Sequence, residues 1–259
     1  MQAYYNYMAR EPQKNAAQVG WLCNRERYPR ERRFMRNLIA LALTLAAAPA
    51  FAADAAHPTL VELFESQGCS SCPPANAALA AYADRADRIA LTFAVTYWDR
   101  LGWKDTFGQG AFTERQYAYG RALGGGVYTP EVVVNGRASG VGDSVAEVDG
   151  LAAKADRGAA GPKLSFEGDA ATIAAGAPPS GGADVWLALY EPRPADVAIP
   201  RGENAGRTLA HRNVVRRLVR LGEWSGEALR LPLPAAAGLS RALWVQGHGG
   251  GAILAAARG

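Results

Sequence analysis

Residues 57–74 read HPTLVELFESQGCSSCPP, and the rest of the chain is best understood from this stretch outward. Thr59 to Phe64 is an apolar run of strand type that reaches a turn at Gly68. Cys69 and Cys72 follow, three residues apart, and Pro74 to Arg85 reads as a helix. Strand, turn, dithiol and helix form the layout of a redox centre. The dipole and free N–H groups of a helix start favour thiolate over thiol. Cys69 is therefore the expected nucleophile and Cys72 the resolving thiol, within reach to close a disulfide after the first attack. A permanent structural bridge is the competing reading. Closing so small a loop constrains the unfolded chain little, which favours the redox role. Ser70 and Ser71, between the cysteines, set the poise.

The chain has 259 residues, 49% hydrophobic and 20% charged, a composition that excludes a disordered protein. Its net charge of +4 does not point to nucleic acid, because the excess is local. Residues 1–36 hold 8 of the 28 basic and 3 of the 24 acidic residues, leaving 20 against 21 and a net of −1. Arg36, the apolar Leu38 to Ala48 and the small-x-small Ala50-Phe-Ala52 read as a secretory signal over 35–53. Residues 1–34 then read as an over-extended gene start, since Met35 begins the signal by itself. Arg32-Arg33 leaves a twin-arginine signal open, and an uncleaved anchor is the alternative to cleavage. The apolar stretch is too short for a spanning helix, so no stable membrane span is expected after signal removal. Periplasmic or secreted localisation follows. Cys23 falls in the leader, leaving Cys69 and Cys72 as one pair in the mature chain. Four zinc ligands are not at hand, and neither a metal nor a cofactor is expected.

Beyond the dithiol, Ile89 to Thr96 is a near-continuous apolar run, as in a buried parallel strand. With the first strand and the helix it makes a βαβ unit. An aromatic and charged loop, Tyr97 to Asp105, comes next, then a helix from Phe112 to Leu123. Val127-Tyr-Thr-Pro130 leads into a strand over 131–134, turned by Asn135-Gly136. A short strand near Ala138 and a helix from Ser144 to Arg157 close the unit. After a linker at 158–162 the pattern turns to β: 163–166, 171–174, 185–190 and 242–246. Leu209 to Leu221 fits either spacing, and strands are favoured by the short strands around it. The expected organisation is an α/β domain at 57–157 and a mostly-β, sandwich-like module at 163–259.

This element order, with Cys-x-x-Cys after the first strand and Thr129-Pro130 before the third, resembles the thioredoxin fold. More narrowly, ELFxSQGCSSCPP, YWDxLGWKD and YTPxVVVNG look like an exported thioredoxin-like family known as domain of unknown function 1223. The likeness runs on through GENAGRTL at 202–209 to the C-terminus. It implies a cis peptide before Pro130 and Thr129 facing the sulfurs, where a substrate peptide would bond and metal would be barred. It also implies that Glu62 is the buried acid that helps deprotonate Cys72, although a solvated or ion-paired glutamate is the alternative. The resemblance supplies no established reaction.

Around the dithiol, Trp98 and Trp103 are expected to grip an apolar partner segment and Lys104 to stabilise a thiolate. Packing and salt bridges that merely fix the loop are the alternative. Glu203, Asn204, Arg207, His211 and Asn213 form a dense polar cluster, read chiefly as a hydrogen-bonded corner. Arg212, Arg216, Arg217 and Arg220 read as a solvated basic face. The leading expectation is an exported thiol–disulfide oxidoreductase acting on a protein or small thiol partner. The alternative is a non-catalytic partner-binding or copper-carrying protein, with His211 joining the cysteines on Cu(I).

Overall fold

The structure, a computed structural model, describes residues 54–259. The expected gene-start extension, the signal peptide and Cys23 lie outside the described residues. Strand β1 (Thr59–Glu65) is buried along its whole length. It pairs parallel to β2 (Arg88–Ala94) and antiparallel to β3 (Glu131–Val134), which turns back into β4 (Ala138–Gly140). The sheet order is β2-β1-β3-β4. Asn135 and Gly136 make the turn with φ of 48° and 60°, the positive values that a tight two-residue hairpin demands. The same asparagine ties the turn to the core. Its Oδ1 accepts from the Leu60 N–H at 2.9 Å and its Nδ2 donates to the Ala155 carbonyl at 3.1 Å.

Strand alternation sorts β1 between two cores. Val61 and Leu63 face helices α1 (Pro73–Ala80) and α3 (Val145–Lys154), meeting Ala75, Leu79, Val148 and Leu151. Leu60 and Phe64 face the other way, toward Phe112 and Tyr119 of α2 (Gly110–Leu123). Helix α1 stops at Ala80, short of Arg85, because Tyr82 turns aside to bond α3. Its hydroxyl donates to Asp149 Oδ1 at 2.8 Å.

Residues 163–259 contribute nine strands. Strands β5 (Leu164–Glu167), β6 (Ala170–Ile173) and β11 (Leu229–Pro232) form a sheet of order β11-β6-β5. Strands β7 (Ala183–Tyr190), β10 (Val215–Trp224), β12 (Ser240–Gly247) and β13 (Ile253–Arg258) form another, β10-β7-β12-β13. One face of the latter meets the three-stranded sheet through Val185, Trp224, Leu243 and Val245. Its other face, with Tyr190, Val215 and Trp244, closes the core begun by Leu60 and Phe64. Strands β8 (Ala195–Ala198) and β9 (Thr208–His211) make a separate two-stranded ribbon. The ambiguous stretch at 209–221 lies in strands β9 and β10, separated by Asn213 with φ of 49°.

The α/β thioredoxin-like class expected from the sequence is overturned. Strands take 36% of the described residues and helices 18%, with several sheets and three α-helices. Parallel pairing within the named sheets is confined to β1–β2. An α/β fold covers both faces of a parallel sheet with crossover helices. Here one face of the first sheet is covered by α1 and α3, while the other shares its cover between α2 and a second sheet. The protein is mostly β.

Candidate functional site

Strand β1 delivers the chain to a tight turn. The Gly68 N–H donates to Ser66 Oγ and the Cys69 N–H to the Ser66 carbonyl, each at 3.0 Å. Cys72 is the N-cap of α1, and a disulfide joins it to Cys69 with the Cα atoms 5.5 Å apart. Exposure is 0% at Cys69 and 1% at Cys72, so neither sulfur is open to a partner as the structure stands. Ser70 and Ser71 are exposed. The Ser71 hydroxyl lies 3.3 Å from Cys69 Sγ and 3.4 Å from the Thr129 carbonyl oxygen. The helix start has fewer donors than its position suggests, because Pro73 and Pro74 carry no N–H.

The peptide between Thr129 and Pro130 is cis. Thr129 Oγ1 accepts from Trp98 Nε1 at 2.7 Å. Trp103 Nε1 donates to Gln67 Oε1 at 2.9 Å, and the Gln67 N–H donates to Asp105 Oδ2 at 2.7 Å. Both tryptophans therefore spend their polar edge clasping the 97–107 loop onto residues 66–68 and Thr129. Lys104 is exposed, and no ion pair among the described residues includes it.

Glu62 is not beneath the cysteines. It shares a β1 face with Leu60 and Phe64, opposite the face on which α1 packs. There it makes a fork with Arg115, Nε to Oε1 at 2.6 Å and Nη2 to Oε2 at 3.0 Å, and accepts from the Tyr119 hydroxyl. Arg115 sits among the rings of Phe93, Tyr119, Trp186 and Trp244, which share its charge as cation–π partners. Burial pushes the Tyr119 hydroxyl well above its usual range. The expected ion-paired alternative is the state that forms.

The acid on the α1 face is Glu65. It is fully buried and accepts from Asn76 Nδ2 at 3.3 Å, one turn of helix beyond Cys72. His211 Nδ1 lies 3.5 Å from Glu65 Oε1. Burial opposes charge on His211, but Glu65, with Asp105 and Asp196 behind it, holds its pKa above the ordinary 6.5. Burial, aided by the charge of Glu65, lifts Asp105 to about 6. Parity along β1 is the signal that finds Glu65: residues 61, 63 and 65 share the helix-covered face, and residue 62 does not. The copper-carrier arrangement would need His211 beside two thiolates, whereas its ring meets Glu65 and the two sulfurs are bonded to each other.

The polar cluster at 203–213 reaches the dithiol directly. Glu203 Oε2 accepts from the Ser70 N–H at 3.1 Å and from its hydroxyl at 2.7 Å. These two bonds hold the Glu203 carboxyl below the usual carboxylate range. The buried Asn204 donates through Nδ2 to the carbonyls of Gln67 and Cys69, each at 2.9 Å. Arg207 Nη1 donates to Asn204 Oδ1, and Asn213 Nδ2 to the Ala90 carbonyl. Elsewhere, Asp184, Glu223 and His248 gather as ligands of metal-binding type. Arg220 already spans the two carboxylates, at 2.6 Å from Asp184 Oδ1 and 2.7 Å from Glu223 Oε1, and offsets the charge a cation would need.

Fold and site together define a mostly-β protein in which a bonded cysteine pair caps a buried-strand helix turn. The chain belongs to the family described as a protein of unknown function, DUF1223, whose model matches residues 60–246. It is similar to a crystal structure of an Agrobacterium tumefaciens protein, at 34% identity and a TM-score of 0.64. That match covers 77% of this chain and 92% of the other. HBP35 of Porphyromonas gingivalis, at 12% identity and a TM-score of 0.52, covers 78% of this chain and 74% of its own, a likeness of fold alone. No protein of curated function matches the chain. No helix among the described residues is long and apolar enough to cross a membrane.

Proposed function

We propose that the protein is an exported thiol–disulfide oxidoreductase working through Cys69 and Cys72. The observation that carries this reading is the bonded pair at the start of α1, with Cys72 as N-cap. In the oxidised state a partner thiolate attacks Cys69 Sγ, the Cys69–Cys72 bond breaks, and Cys72 leaves as a thiolate that takes up a proton. A second partner thiol, deprotonated, attacks the mixed disulfide and releases Cys69, which is protonated in turn. Two electrons pass to the pair and the partner becomes a disulfide. Run in reverse, Cys69 thiolate attacks a partner disulfide and Cys72 resolves the intermediate. The partner is a protein or a small thiol. A periplasmic or secreted setting suits a persisting disulfide, and the signal-type residues 35–53 support it.

The burial of both sulfurs favours a second reading, a bridge that never exchanges. Equilibration against glutathione and dithiothreitol, with thiol labelling, separates the two. A potential of about −120 to −270 mV is the outcome expected for an exchanger, and one below about −300 mV would leave only the inert bridge.

A further inference from the structure

An exchange at Cys69 requires a thiolate to reach a sulfur that is 0% exposed, so whatever covers it must move. The tip of the β8–β9 ribbon, residues 199–207, rests on the Gln67–Ser70 turn that carries this sulfur. Its contacts there are the two Glu203 bonds to Ser70 and the two Asn204 bonds to the carbonyls of Gln67 and Cys69. Gly202 packs against Trp103 so closely that a Cβ would stand 3.3 Å from the tryptophan Cβ.

Three features fit this tip to move as a unit. It is closed on itself, with the Ile199 N–H bonded to the Arg207 carbonyl and the Gly206 N–H to the Ile199 carbonyl, each at 2.8 Å. Gly202 and Gly206, at φ of 85° and 80°, bracket the two clamp residues. The ribbon behind it pairs with none of the three larger sheets, and a lone two-stranded ribbon is marginal by itself. Elements of that kind supply the low-energy local openings of a native protein.

The tip also acts on the chemistry. Glu203 occupies the Ser70 N–H, the backbone donor next to Cys69, with a negative charge that opposes a thiolate there. Release of the tip unclamps the Cys69 turn and frees that donor together.

We propose that the β8–β9 tip is a gate over the cysteine bridge, held shut by Glu203 and Asn204, and that a thiol partner reaches Cys69 only when it is open. This inference rests on reading Cys69–Cys72 as an exchanging pair. Glu203 and Asn204 are positioning residues, bonded to the Gln67–Ser70 turn and not to the reacting sulfurs.

The test is the second-order rate of reduction of the native oxidised protein by a water-soluble phosphine, followed by thiol labelling. Wild type, Glu203→Gln and the near-isosteric Asn204→Asp are compared, with melting curves to verify folding. Each variant is expected to be reduced about tenfold faster than wild type, the effect of losing one or two charge-assisted or buried hydrogen bonds from the closed state. Unchanged rates in both folded variants would overturn the gate. Should a variant fail to fold, wild type alone decides through dilute guanidinium. A local gate gives a rate that barely depends on denaturant, and a rate rising with the full slope of global unfolding removes it. The outcome is separable from that of the proposed function. An exchanger's potential with insensitive rates sinks the gate alone, and a potential below about −300 mV with faster variants sinks exchange alone.

Discussion

Glu62 and Glu65 stand three residues apart on one strand and do different work. Glu62 is locked to Arg115 in a ring-walled site, so removing either partner strands a buried charge. Arg115→Met should lower unfolding free energy by about 3–5 kcal/mol in urea titration. It should leave the Cys69–Cys72 potential unmoved, since the pair lies across the sheet from α1. Glu65 and His211 form the pair on the dithiol side, and their linkage to pH has a definite sign. His211 has a folded pKa raised above 6.5, so its contribution is fully present below that value and is lost as pH rises through the raised one. Asp105, raised from 3.8 to about 6, acts in the same direction at lower pH, its favourable share fading between those values. Urea midpoints of wild type and His211→Gln should therefore differ most below pH 6.5 and converge above it. A gap that widened with rising pH would contradict this pairing.

Helix α1 and the β3–β4 hairpin show how single positions govern whole elements. Two prolines open α1 and remove the N–H groups that would face a thiolate at its N-cap, Cys72. Pro74→Ala, at an exposed position, restores one donor. It should stabilise the reduced pair by up to about 1 kcal/mol, raising the potential by about 20 mV. Equilibration with glutathione would read that shift, and a fall in potential would refute the account. In the hairpin, Asn135 supplies both the left-handed turn and two buried hydrogen bonds. Asn135→Ala should cost about 2–4 kcal/mol, because the Leu60 N–H and Ala155 carbonyl lose their partners in the core. Asn135-Gly136 was legible as a turn because its chemistry is local. The early stop of α1 was not, because it depends on Tyr82 meeting Asp149, 67 residues away.

At the scale of the molecule, the core that begins with Leu60 and Phe64 is completed by Tyr190, Val215 and Trp244. The linker at 158–162 thus joins two stretches of sequence that share one core. A chain ending at residue 157 would expose that face, and is expected to lack a cooperative thermal transition, as near-UV dichroism would report. A truncated chain that melted cooperatively would show the first sheet to be self-sufficient.

Local chemistry marked the strand and turn around the dithiol, Cys69 and Cys72 as a pair, and Asn135-Gly136, since each depends on neighbours within a few residues. The likeness to domain of unknown function 1223 was legible on the same grounds. Only the tertiary structure decided the class of fold, the face on which Glu62 lies, the place of Glu65 and His211, and the bond from Asn204 to the Cys69 carbonyl. These turn on groups that meet far along the chain, 53 residues apart for Glu62 and Arg115 and 135 for Cys69 and Asn204. Composition and periodicity state that a surface must be buried, and only packing selects the surface that buries it.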